Sequence, residues 1–149
     1  MKSVNLVSIL ASVSICFLLV GCSSLPPLSE EELLQGLAEM EQHGPFQFKE
    51  RTWPRLENKT IIYCGTISAA HSTEAGSSVT LNLEETHEEE PLGWSLEGRS
   101  DSPELTREYG VGDAICITGI FESYVVVQHY APPYRGSVRL ETWEKPAIS

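Results

Sequence analysis

The stretch Gly112-Asp113-Ala114-Ile115-Cys116-Ile117-Thr118-Gly119 opens a long run, DAICITGIFESYVVVQ, that reaches Gln128. Its β-branched and aromatic residues suit a pleated, half-buried surface. Side chains alternate along a strand, so Ile115, Ile117 and Phe121 share one face and Cys116 takes the other. Gly119 marks a bulge or a sharp coil. A second segment has the same character. In Ile61-Ile62-Tyr63-Cys64-Gly65-Thr66-Ile67, the residues Ile61, Tyr63 and Ile67 share a face and Cys64 lies on the opposite one.

Strand patterns continue outward from these two. TIIYCGTISAA is the first. SSVTLNLEE places Val79, Leu81 and Leu83 on one face, and GWSLEGR places Trp94 and Leu96 together. SVRLETWE closes the series, with Val138 and Leu140 on one face and Arg139, Glu141 and Trp143 on the other. Between the third and fourth strands, SPELTREYG reads as a short helix: Ser102 caps, Pro103 suits the first helical position and Gly110 stops it. Ahead of the strands lies SEEELLQGLAEMEQHG. Ser29 and Glu32 form a capping box, and Glu30, Glu31 and Glu32 favour the positive end of a helix dipole. Leu33, Leu37 and Met40, widened by Leu34, predict a helix over about 30–42 that Gly44-Pro45 ends. The stripe reads as a face packing on the domain rather than as a docking helix for a partner. No internal repeat is evident.

The order of five strands with a short helix between the third and fourth is that of the OB-fold, a small Greek-key barrel. Gly112 to Gly119 resembles the G-D-x-V-x-V-x-G fourth strand of OB-fold nucleic-acid-binding families, and Ile61 to Ile67 resembles their first strand. The stretch from about Asn58 to Trp143 is similar to the tRNA-anticodon-like OB families, including small exported members. The resemblance implies a mainly β protein: a five-stranded OB-like Greek-key barrel over 58–145, preceded by an N-terminal helix and connector over 29–57. It implies that Ile115, Ile117 and Phe121, with Ile61, Tyr63 and Ile67, point into the barrel. It also implies that the first and fourth strands are antiparallel neighbours, which brings Cys64 and Cys116 onto one outer face within reach of a disulfide.

The N-terminus carries an address. Lys2 precedes an uncharged, mostly apolar run from Val4 to Val20, the pattern of a secretory signal. A spanning helix wants about 20 apolar residues, and this run is shorter and interrupted by Asn5, Ser8, Ser12 and Ser14. Leu19-Val20-Gly21-Cys22 resembles the lipobox of bacterial lipoproteins. That likeness implies a signal peptide over 1–21, acylation of Cys22, and a tether over 22–28 holding the domain to the lipid bilayer. Ser23 after the Cys is similar to an outer-membrane address facing the periplasm. Removing residues 1–21 takes away only Lys2, leaving 9 basic against 21 acidic residues, a net of −12. With Cys16 discarded and Cys22 acylated, Cys64 and Cys116 remain: a disulfide in an exported protein, or two buried thiols.

Such a charge opposes nucleic acid unless basic residues cluster, and the densest group is only Lys49, Arg51, Arg55 and Lys59. His43, His71, His87 and His129 are scattered, and no nucleophile, zincin or phosphate-loop motif is present. No enzyme, no cofactor and no metal site is therefore expected. The acidic stretch Glu84–Glu90, with His87, lacks the alternation of a calcium loop and reads as solvated. In the connection Val125–Val138, the residues Tyr130, Tyr134 and Arg135 are candidates for ligand or partner contact, with Trp94 as a possible barrel-surface aromatic. That connection and Ala69–Ser78 flank the usual OB binding face. The expected function is a membrane-anchored envelope lipoprotein that binds an envelope protein or a small ligand. Single-stranded oligonucleotide binding, and a metal-binding or hydrolytic role, are the alternatives.

Overall fold

The computed structural model describes residues 26–83 and 92–147. The signal and lipobox (1–24), with Cys22, and the acidic stretch Glu84–Glu90 lie outside the described residues. Five strands close into a barrel: β1 (Thr60–Thr73), β2 (Gly76–Asn82), β3 (Trp94–Ser100), β4 (Ala114–Val126) and β5 (Tyr134–Glu144). The order around the barrel is β1-β2-β3-β5-β4, with β3 and β5 parallel and the other pairs antiparallel. This is the OB-like Greek-key arrangement that the element order implies.

Period-two patterning decides the interior. Ile61, Tyr63, Ile67, Val79, Leu81, Leu83, Trp94, Leu96, Ile115, Ile117, Phe121 and Val138 are all buried. Cys64 pairs directly with Cys116 across β1 and β4, and the two sulfurs are bonded at 2.03 Å. Three bulges reset the alternation, at Ser68 in β1, Glu122 in β4 and Glu141 in β5. Gly119 sits where the β4–β5 register shifts, and a Cβ there would lie 2.3 Å from the Arg139 carbonyl oxygen. Only glycine lets the two backbones approach that closely. The bulge at Glu141 also corrects the expected face of Trp143. It pairs with Ile117 and packs against the core instead of sharing the outer face of Arg139.

Helices close both ends. The first, α1, spans Glu30–Gln47, with Ser29 Oγ accepting from Glu32 N at 3.1 Å as the capping box requires. The chain leaves helical geometry at Gly44 (φ 83°, ψ 169°), where the sequence places the end of the helix. The connector beyond is not extended: it is helical again through a π-helical turn, Phe48–Thr52, and α2 (Trp53–Leu56). This second segment lacks a long apolar stripe of its own. It is held by packing of Phe48 and Leu56 into the core and by a clip to α1. In the clip, the Thr52 hydroxyl donates to Glu39, and Arg55 Nη2 lies 3.1 Å from the same carboxylate. At the opposite end α3 (Glu104–Glu108) lies beside β2 and β1 and plugs the barrel with Leu105 and Tyr109. Pro103 is the N-cap of α3 rather than its first residue, and Ser102 Oγ, one position earlier, accepts from Glu104 N at 3.2 Å.

Candidate functional site

The aromatic residues singled out in the sequence separate in space. Trp94 is a correction: it is fully buried rather than on the barrel surface. It begins β3 under α1, and its Nε1–H donates to the Leu37 carbonyl at 3.0 Å. Its ring stacks among Phe48, Tyr124 and Tyr134, with centroids 5.6, 6.0 and 5.4 Å away. Tyr134 opposes Trp94 in the parallel β3–β5 register and is partly buried on the same cluster. Trp53 extends the cluster onto Phe121 and Tyr124 at 5.0 and 4.8 Å. Burial there pushes the Tyr124 phenol up. These rings form the joint between barrel and helical cap, since aromatic edges and faces gain most when stacked away from water. Tyr130 alone projects, 65 % exposed, from the connection over 127–133, and Arg135 is exposed on β5. The sequence therefore groups four residues that the fold divides into a core pair and two surface groups.

The two flanking connections are shorter than expected. Most of Ala69–Ser78 is strand, because β1 runs to Thr73 and β2 begins at Gly76. Only Glu74 and Ala75 turn the hairpin. Gly76 (φ 147°) packs against the end of β3, where a Cβ would lie 2.2 Å from the Ser100 carbonyl oxygen. Ser77 Oγ donates to the Ser102 carbonyl at 2.5 Å. The hairpin tip is thereby fixed over the C-terminal end of β3.

This fixed tip forms one wall of an open groove of about 420 Å³ on the outside of the barrel. Its floor is a row of residues in register across four strands: His71 on β1 faces Ser78 on β2, Ser78 faces Arg99 on β3, and Arg99 faces Arg139 on β5. Glu122 reaches both guanidinium groups from β4, with Oε2 3.7 Å from Arg99 Nη2 and Oε1 3.3 Å from Arg139 Nε. Glu97 lies 3.9 Å from Arg99 Nε, and Asp101 lines the rim. The groove holds cationic forks, two carboxylates, an imidazole and hydroxyls, a set suited to polar recognition. Among the described residues, no group of three or more His, Cys, Asp or Glu side chains is placed to hold a metal ion. Sequence reading missed this row because Arg99 and Arg139 lie on separate strands whose parallel pairing no local pattern announces. The sole hint was that Arg139 occupies an outward position.

Fold and groove define an OB-like barrel protein with a polar outer face. No family model matches the chain, and no curated protein matches it. Among solved structures it is similar to the small single-stranded DNA-binding protein from Streptomyces coelicolor, at 9 % identity and a TM-score of 0.37, over 60 % of this chain and 95 % of that one.

Proposed function

We propose that this chain is a lipid-anchored envelope protein whose OB-like barrel acts as a non-enzymatic module binding a small ligand or an envelope protein. The outer groove carries the reading: it is concave, walled by a fixed hairpin and lined by polar side chains. Volumes of this order, roughly 300–1,000 Å³, suit small-molecule sites. The Cys64–Cys116 bond supports export, because disulfides persist in oxidising compartments. Leu19-Val20-Gly21-Cys22 supports attachment through acylated Cys22. Among the described residues no helix is long and apolar enough to cross a membrane. In a bacterial host, the full chain is expected in the membrane fraction and Cys22→Ala in the soluble fraction or as uncleaved precursor. Crosslinking in native envelopes, followed by recovery of the protein, is expected to retain a specific protein or metabolite. A Cys22→Ala chain that is cleaved like wild type and still stays in the membrane fraction would overturn the anchor. Recovery of nothing beyond the crosslinker control would overturn the binding role.

A further inference from the structure

The groove contains an arrangement that packing alone does not favour. Arg99 and Arg139 stand directly opposite one another on neighbouring strands. Like charges in that position repel and destabilise a sheet. Both are well exposed, at 55 % and 66 % of their side-chain surface, so neither contributes burial in return. Their shared counter-ion is Glu122, the extra residue of the β4 bulge between Phe121 and Ser123. A bulge re-aims a side chain, and this one turns a carboxylate toward two guanidinium groups.

The contacts it makes are loose. Charge-assisted N–H···O bonds run at about 2.7–2.9 Å. Glu122 lies at 3.3 and 3.7 Å, and Glu97 at 3.9 Å. None of these distances reaches that of a two-pronged fork, and both arginines line the groove. Glu122 is itself an oxyanion between the two guanidinium groups, and they hold it loosely. The row continues through Ser78 to His71, adding a hydroxyl and an imidazole on the same floor.

We propose that this groove is an oxyanion site: the carboxylate or phosphate group of a small ligand takes the fork of Arg99 and Arg139 and displaces Glu122. The assignment rests on the binding-module reading above and names the ligand class for it. Glu122, with Glu97 and Asp101 nearby, keeps the empty groove from being net cationic. Selectivity then comes from fork geometry rather than bulk charge, which suits a small anion better than an extended polyphosphate.

The test is a titration of the full chain in neutral detergent micelles, following the Arg99 and Arg139 Nε–H resonances. The probes are inorganic phosphate and citrate, with sodium chloride at matched ionic strength as control. Saturable shifts with phosphate, citrate or both are expected, and the probe that saturates identifies the preferred group. Arg139→Gln is expected to weaken binding about tenfold or more, since bonds to charged groups are lost. Glu122→Gln, which removes the competing carboxylate, is expected to tighten it several-fold with the barrel still folded by circular dichroism. Shifts that only follow the chloride control would overturn the proposal, as would Glu122→Gln that fails to tighten binding. Tight, steeply salt-dependent binding of a single-stranded oligonucleotide through the same arginines would overturn it in favour of a polymeric ligand. If envelope crosslinking still captures a partner in Arg99→Gln and Arg139→Gln, the binding module stands and only the oxyanion assignment falls.

Discussion

Glu39 is held in its charged form by the fold. The Thr52 hydroxyl that donates to it, aided by the Arg55 guanidinium, keeps its carboxyl below the ordinary value near 4.5 despite partial burial. A depressed carboxylate stabilises the native state above its unfolded pKa, and that contribution is lost as pH falls through the folded pKa. Wild type is therefore expected to be more stable than Glu39→Gln at pH 7, with the gap closing below about pH 4.5. Urea denaturation at the two pH values measures this; a gap independent of pH would show that the clip is not ionic. Trp94 is the second informative residue. Its burial predicts that Trp94→Ala costs about 3–5 kcal/mol in the same assay. An exposed binding aromatic would cost far less. The alternation places Trp94 on the face of Leu96 without saying which face is inward, and the expected surface position gives way to full burial. Its indole partner, the Leu37 carbonyl, lies 57 positions away and is invisible to any local pattern.

At the scale of elements, the pairing of β1 with β4 is the firmest link between sequence and structure. Cys64 and Cys116 sit opposite each other in register, as the resemblance to the OB-fold, with the outward parity of both strands, implies. The bond closes a loop of 52 residues, for which chain-entropy arguments give about 4 kcal/mol. Cys64→Ser, Cys116→Ser and the double variant should lose the same stability, because each removes one bond. Thiol labelling of the folded, unreduced domain should leave both positions unmodified. Losses that add in the double variant, or labelling of either Cys, would contradict the pairing. The N-terminal helix was equally legible, from its capping box to its break at Gly44. The helical connector after it was not. Its four-residue end, WPRL, is too short for periodicity to declare, and it is helical because Phe48 and Leu56 find the core. The bulges were legible at Gly119 alone. Counted strictly by twos from Ile67, His71 would face inward, and the bulge at Ser68 turns it out into the groove.

For the whole molecule, net charge bears on one class of ligand, nucleic acid. A net of −11 opposes binding to a polyanion, which calls for a continuous basic track, and two of its arginines already share Glu122. Oligonucleotide binding needs such a track, since affinity comes mainly from phosphate neutralisation. Fluorescence anisotropy with a labelled single-stranded oligonucleotide is expected to show no saturable binding even at low salt. A rise that salt abolishes would reverse that expectation. The order of elements, the strand alternation that sets Cys64 and Cys116 apart from the apolar face, and the capped first helix follow from local periodicity and from residue chemistry at fixed offsets, while the inward faces and the disulfide pair follow from the resemblance to the OB-fold. The first three are determined by the sequence on its own. The groove is not. It depends on β3 meeting β5 in parallel across 40 positions, on bulges that reverse the alternation, and on a hairpin tip seated over Ser100. Those are properties of closure. Two segments far apart in the chain acquire a common register only when the barrel shuts, and only then do Arg99, Arg139 and Glu122 share one face.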